Sequence, residues 1–271
     1  LAPDAQFVYP LLFHDPSVGA SDPEKLPPVR AFRRAGNYIL RTGWGAGDTV
    51  VFFRAMPWYH YNHERRDFSS FTIYHKGGLA THSGTYQAGD KESDYSGSHL
   101  TNYAWRSVAH NVITVLDPKE KFCLPTGPVN DRCKGANLWS NDGGQKFRST
   151  SSDEDPVPSF QPMNAADIES PHFSQGNVLV FDDRPEVTTI AADGAKAYRR
   201  DKVVAFERHL LFLKNVAGWK QPVVVVFGPA TAETSTYNLV ALTATGLVPD
   251  TPYYYAVEVD GHPDWMKRGQ F

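Results

Sequence analysis

Runs of β-branched and aromatic residues, each bounded by Gly, Pro, Asp or Asn, constrain this chain more than any other feature. They are "NYILRTGW" (37–44), "DTVVFFRA" (48–55), "SFTIYHKG" (70–77), "SVAHNVITVL" (107–116), "NVLVFDD" (177–183), "EVTTIAA" (186–192), "KVVAFERHLLFLK" (202–214) and "QPVVVVF" (221–227). Short strands between turn residues, with almost no 3.6-residue periodicity, predict an all-β fold, an antiparallel β-sandwich. A hydrophobic content of 41% over 271 residues is enough for one large core or two modest ones.

Charge and apolar runs exclude several classes. The net charge of -3 comes from interspersed signs and offers no basic field to attract nucleic acid. The run from Pro222 to Phe227 is the longest apolar stretch and is far too short to span a bilayer, so no membrane partner is expected. Cys123 and Cys133 are the only cysteines. They permit one disulfide, which an oxidising compartment would favour, and cannot make a four-cysteine zinc site.

Three segments divide the chain. Residues 1–30 are proline-rich and read as a linker or the tail of an upstream domain, and 31–227 as the sandwich. Residues 228–271 form a C-terminal β segment in which "LTATGLVPDTPYYYAVEVDG" (242–261) resembles the end of a fibronectin type III module. It is either a partial module or the last strands of the sandwich. Residues 117–175 are long, polar and rich in turn formers, which suggests a functional loop layer or a partly mobile segment.

The chemistry concentrates in "NHERRDFSSFTIYHKGGLATHSG" (62–84). Phe71, Ile73 and His75 share one face of its strand, while His63, Arg65 and Asp67 precede it and cluster at its entrance. A turn at Gly77 and Gly78 brings His82 back to that end, and His110, expected inside a further strand, supplies a third imidazole. Converging imidazoles suit acid–base or metal chemistry, although a single histidine is more often structural. His75 and His209 are read as structural. Trp58, Tyr59 and Tyr61 could stack on a sugar, the competing reading being core packing.

From about Pro27 to Phe227 the chain resembles the β-sandwich domain of the heparinase II/III-like polysaccharide lyases and related alginate lyases. The residues that carry this are Gly36, Tyr38, Leu40, Arg41, Gly43 and Trp44, then Asn62, His63, Asp67, Phe71 and Tyr74. Leu79, Ala80, Gly84 and Tyr86 follow, then Ala109, His110 and Asn111, with "AYRRDKVVAFERHLLFLK" and "VVVVF" as late strands. The resemblance implies β-elimination on an anionic, uronate-containing polysaccharide by a secreted or periplasmic enzyme. His63 stands at the family's catalytic histidine; Arg65 and Arg66 would meet carboxylate or sulfate, with Asn62 beside them. It also implies an upstream helical toroid bearing further catalytic residues, whose last segment "LLFHDPS" (11–17) resembles.

Two positions depart from the family. Arg65 stands where a metal-binding histidine is usual and His82 where an aspartate is, leaving His110 as the retained zinc ligand. A guanidinium has no lone pair to offer a metal. Zinc could survive only on a rearranged set, His60 or His63 with His82 and His110. The preferred expectation is that an Arg65–Asp67 pair replaces the metal, since Asp67 shares the arginine's face and Glu64 points away. The alternatives to a lyase are a non-catalytic carbohydrate-binding or structural sandwich and, less well supported by carboxylates, a metal-assisted hydrolase.

Overall fold

The computed structural model describes residues 15–19, 21–59, 65–83, 103–117, 122–123, 139–140, 143–146, 166, 169, 173–199, 202–215, 217–218, 221–228, 230–232, 239–241, 254–259 and 262–270. Backbone alone is described for 122–123, 139–140, 230–232, 239–241, 254–259 and 262–270. Among these no helix reaches seven residues, and none is long and apolar enough to cross a membrane.

The first sheet runs in chain order through β1 (Arg30–Phe32), β2 (Asn37–Arg41), β3 (Thr49–Arg54), β4 (Ser70–His75) and β5 (Gly78–Ala80). Short strands follow at β6 (Thr114–Leu116), β7 (Phe122–Cys123) and β8 (Trp139–Ser140), the last two paired with each other. The second sheet joins β9 (Asn177–Asp183), β10 (Val187–Asp193), β11 (Val203–Leu213) and β12 (Val223–Phe227), with β13 (Ala230–Ala232) also on β11. β14 (Leu239–Ala241) pairs with β6, and β15 (Tyr254–Val259) with β16 (His262–Gln270). All pairings in both sheets are antiparallel.

Alternation in sequence becomes alternation in burial, as in β3, whose Thr49, Val51 and Phe53 point inward. Tyr38, Leu40, Val51, Phe53, Phe71 and Ile73 of the first sheet share one core with Ile190, Phe206, Leu210 and Phe212 of the second. Tyr38 meets Phe53 edge-on at 6.3 Å and, across the sandwich, Phe181 at 5.5 Å. Fully burying one such side chain contributes about 1.5–3 kcal/mol, so these rows supply the main cohesion between the sheets.

One expected strand is different. Residues 107–116 are strand only at Thr114–Leu116; Ser107–Ala109 form a single 3-10 turn, and His110 follows it rather than lying in a strand. The side chains of Ser107 and Asn111 bond to the backbone of another segment instead of alternating across a sheet. The proposed linker is tied in at its end, where Val29 joins the core and Leu26 accepts a hydrogen bond from the Trp44 indole. Cys133 and the Cys123 side chain lie outside the described residues, as does most of the 117–175 layer.

Gly36 sets the β2 entry. Its φ of +65° is left-handed, and an added Cβ would lie 2.1 Å from the Met56 Cα. Gly36→Ala should therefore destabilise the protein by more than the roughly 1–3 kcal/mol of the backbone conformation alone, read as a fall in melting temperature. An unchanged melting temperature would show that this turn is free to rearrange.

Candidate active site

The polar end of the first sheet is built around the entry to β4. The β3–β4 register sets Arg54 opposite Ser70. That places Arg54 Nε 3.0 Å from Asp67 Oδ1, off the line of a good hydrogen bond, with Asp67 only 6% exposed. Sequence spacing does not reveal this partner, because it depends on the pairing of two strands. Arg65 is half-buried, while Arg66 is buried with its guanidinium carbon 3.5 Å from the centre of the Tyr59 ring.

Tyr59 is itself buried against Phe173, with ring centroids 6.5 Å apart, and the partly buried Trp58 packs on that pair and bridges to Ser174. Tyr59 thus anchors Arg66 and presents no open face to a sugar. Tyr61, Asn62, His63, Glu64 and His60 lie outside the described residues.

His82 and His110 meet, as their spacing suggests. β5 runs back along β4, and the Ser83 N–H donates to the Ala109 carbonyl at 2.9 Å, so the two rings lie 5.2 Å apart at 56°. Nε2 of His110 lies 3.2 Å from the Ala104 carbonyl. A carbonyl only accepts, so Nε2 carries the proton and Nδ1 is left with a lone pair. Nδ1 is buried and makes no hydrogen bond among the described residues.

Electrostatics keep both rings neutral. Burial pushes the His110 pKa down to about 4, with His82 and Arg65 adding to the fall and Asp67 opposing it. For His82 the direction is the same: desolvation of the ring leads, then the Arg65 charge, while Asp67 again opposes. His75 and His209 are engaged elsewhere, the first 3.0 Å from Thr49 Oγ1 and the second 3.0 Å from Glu207.

The donor set can be tested against zinc. His110 Nδ1 is a suitable free lone pair, but among the described residues no third His, Cys, Asp or Glu joins His82 and His110 to make a ligand group. The Arg65 and Arg54 charges acting on His82 would also repel a divalent cation, against an opposing pull from Asp67. The described residues do not fit a zinc centre, and no chemical step is assigned to one.

The described residues thus form an antiparallel β-sandwich in which the Arg54–Asp67 ion pair lies near two imidazoles that meet. A model of the family described as Heparinase II/III-like, C-terminal matches residues 24–224, and the chain belongs to that family. Among solved structures it is similar to the heparan sulfate lyase HepC from Pedobacter heparinus, at 13% identity and a TM-score of 0.45, covering 86% of this chain and 24% of that one. It is also similar to the Heparinase III-BT4657 gene product, at 15% identity and a TM-score of 0.45, covering 86% and 25%. No curated protein matches it. The chain thus spans about a quarter of the length of these solved chains.

The neutral state of His110 sets a pH dependence. Its folded pKa lies below the ordinary imidazole value of about 6.5, so the unfolded chain binds more protons between those limits. The stabilisation is complete above about pH 6.5 and is lost as pH falls toward 4, by about 3 kcal/mol. In protein freed of metal by chelator, His110→Gln should flatten that part of the stability curve measured by denaturant titration. A parallel curve would show that His110 already titrates normally.

Proposed function

We propose that this chain is the sandwich portion of a secreted or periplasmic polysaccharide lyase that cleaves a uronate-containing polymer by β-elimination. The observation that carries the reading is family membership across residues 24–224, with the positive segment Arg65–Arg66 at the mouth of β4. Elimination removes the proton at C5 beside the carboxylate and expels the C4 oxygen. It needs the carboxylate neutralised, a base, and a proton for the leaving oxygen.

Arg65 is assigned to the carboxylate, since a planar guanidinium pairs with it in two hydrogen bonds and never loses its charge. Arg66, turned back onto Tyr59, supports the segment from behind. His63 is assigned as base, or as a second group on the carboxylate, and Asn62 as a substrate contact. In this reading the Arg65 charge does the neutralising work, and no zinc is required. His82 and His110, held neutral, lie within reach of the Arg65 charge. The proton for the leaving oxygen is assigned to an upstream helical domain, the expected partner of this one.

A second reading, a non-catalytic carbohydrate-binding sandwich, draws on the burial of Arg66 and Tyr59, which withdraws two of the expected sugar contacts. One assay separates them. The full-length protein is mixed with alginate, heparan and chondroitin, and the ultraviolet absorbance of unsaturated uronates is followed. Absorbance should rise with at least one polymer, and His63→Ala should lower the rate at least about a hundredfold with little change in melting temperature. Binding to a polymer without any rise in absorbance would select the second reading, and an unchanged rate in the variant would remove His63 from the mechanism.

A further inference from the structure

The segment from Arg66 to Phe71 bends sharply into β4, and its peptide groups are held by side chains from distant parts of the chain. Gln145 Oε1 accepts from the Phe68 N–H at 3.0 Å while its Nε2 donates to the Phe68 carbonyl at 2.9 Å. Asn111 repeats the arrangement on Phe71, accepting from N–H at 3.0 Å and donating to the carbonyl at 2.6 Å. Ser107 joins the two: its Oγ donates to the Arg66 carbonyl at 2.7 Å and accepts from the Gln145 N–H at 2.9 Å. Gln145, Asn111 and Ser107 are all buried.

Between the two amide clamps Ser69 has a φ of +68°, a left-handed conformation that a non-glycine residue adopts at a cost of about 1–3 kcal/mol. Such a bend persists only where its surroundings over-determine it. Here they do, because each clamp satisfies both polar groups of one buried peptide residue, and leaving those groups bare would cost about 1–3 kcal/mol apiece. The bend turns the chain away from the β4 axis just after Arg65 and Asp67. A carboxylate-binding guanidinium displaced by about 1 Å can lose a hundredfold in rate, so the clamps bear on more than folding.

We propose that Gln145 and Asn111 are positioning residues for the reaction: they fix the Ser69 bend and so set Arg65 at the angle the uronate carboxylate requires. The inference rests on the lyase reading above and adds residues that the sequence motifs alone would assign to structure.

The test uses the full-length enzyme with Gln145→Met and Asn111→Leu, which keep the side-chain length and remove the paired bonds. Leu210→Ala, in the fully buried row of the second sheet, serves as a control lowered in melting temperature by an inner-core defect. At a temperature where all three are folded, each clamp variant should lose at least about tenfold in kcat/KM, carried by kcat, and the control should stay within about twofold. Amide exchange at Phe68 and Phe71 should quicken in the clamp variants and not in the control. If an apolar variant fails to fold, Gln145→Asn, which keeps the amide but shortens its reach, should show the same direction. Clamp variants that keep wild-type kcat, or lose no more than the control, overturn the proposal. A wild-type enzyme that cleaves no polymer sinks the lyase reading first, and this inference with it.

Discussion

A buried peptide group must be hydrogen-bonded, and at the entry to β4 the main chain of Phe68 and Phe71 is met by side chains rather than by a strand. The rest of the site depends on how that demand is met. Phe68 and Phe71 take their partners from Gln145 and Asn111, 77 and 40 residues away in the chain. In consequence the loops bearing those residues are drawn under the first sheet. The same contacts bring Ala109 and His110 alongside Ser83, and hence the two imidazoles together. Among the described residues, these main-chain contacts account for the approach of the two imidazoles.

Charge then determines what these groups can do. Asp67 is buried against Arg54, while the Arg65 charge falls on both histidines. Arg65 disfavours a proton on either ring while Asp67 opposes it, and at His110 the Asp67 charge outweighs that of Arg65. In the proposed lyase reading, a substrate carboxylate would meet the Arg65 charge already in place.

Much of the fold is legible in the sequence because alternation and turn residues act locally. The runs at 48–55, 70–77 and 202–214 appear as β3, β4 and β11 with inward faces where the pattern puts them. The turn at Gly77 and its consequence for His82 were legible for the same reason. Residues 107–116 were not: Ser107, Asn111 and their apolar neighbours read as a strand, yet their polar side chains are committed to a segment about 40 residues earlier. Arg54 was equally hidden, since it meets Asp67 only through the β3–β4 register. Tyr59 was open to both readings, because aromatic residues near a charged strand suit either a ligand or a core, and packing against Phe173 distinguishes the two.

The central claim is that a guanidinium, not a metal ion, supplies the positive charge beside His82 and His110. Elemental analysis of the full-length protein purified without chelator tests it most directly. The account predicts less than about half an equivalent of zinc or manganese, since two imidazoles beside an arginine make a poor site for a divalent cation. One full equivalent, lost on His82→Ala or His110→Ala, would contradict it and show that the metal had been kept by a rearranged set of ligands.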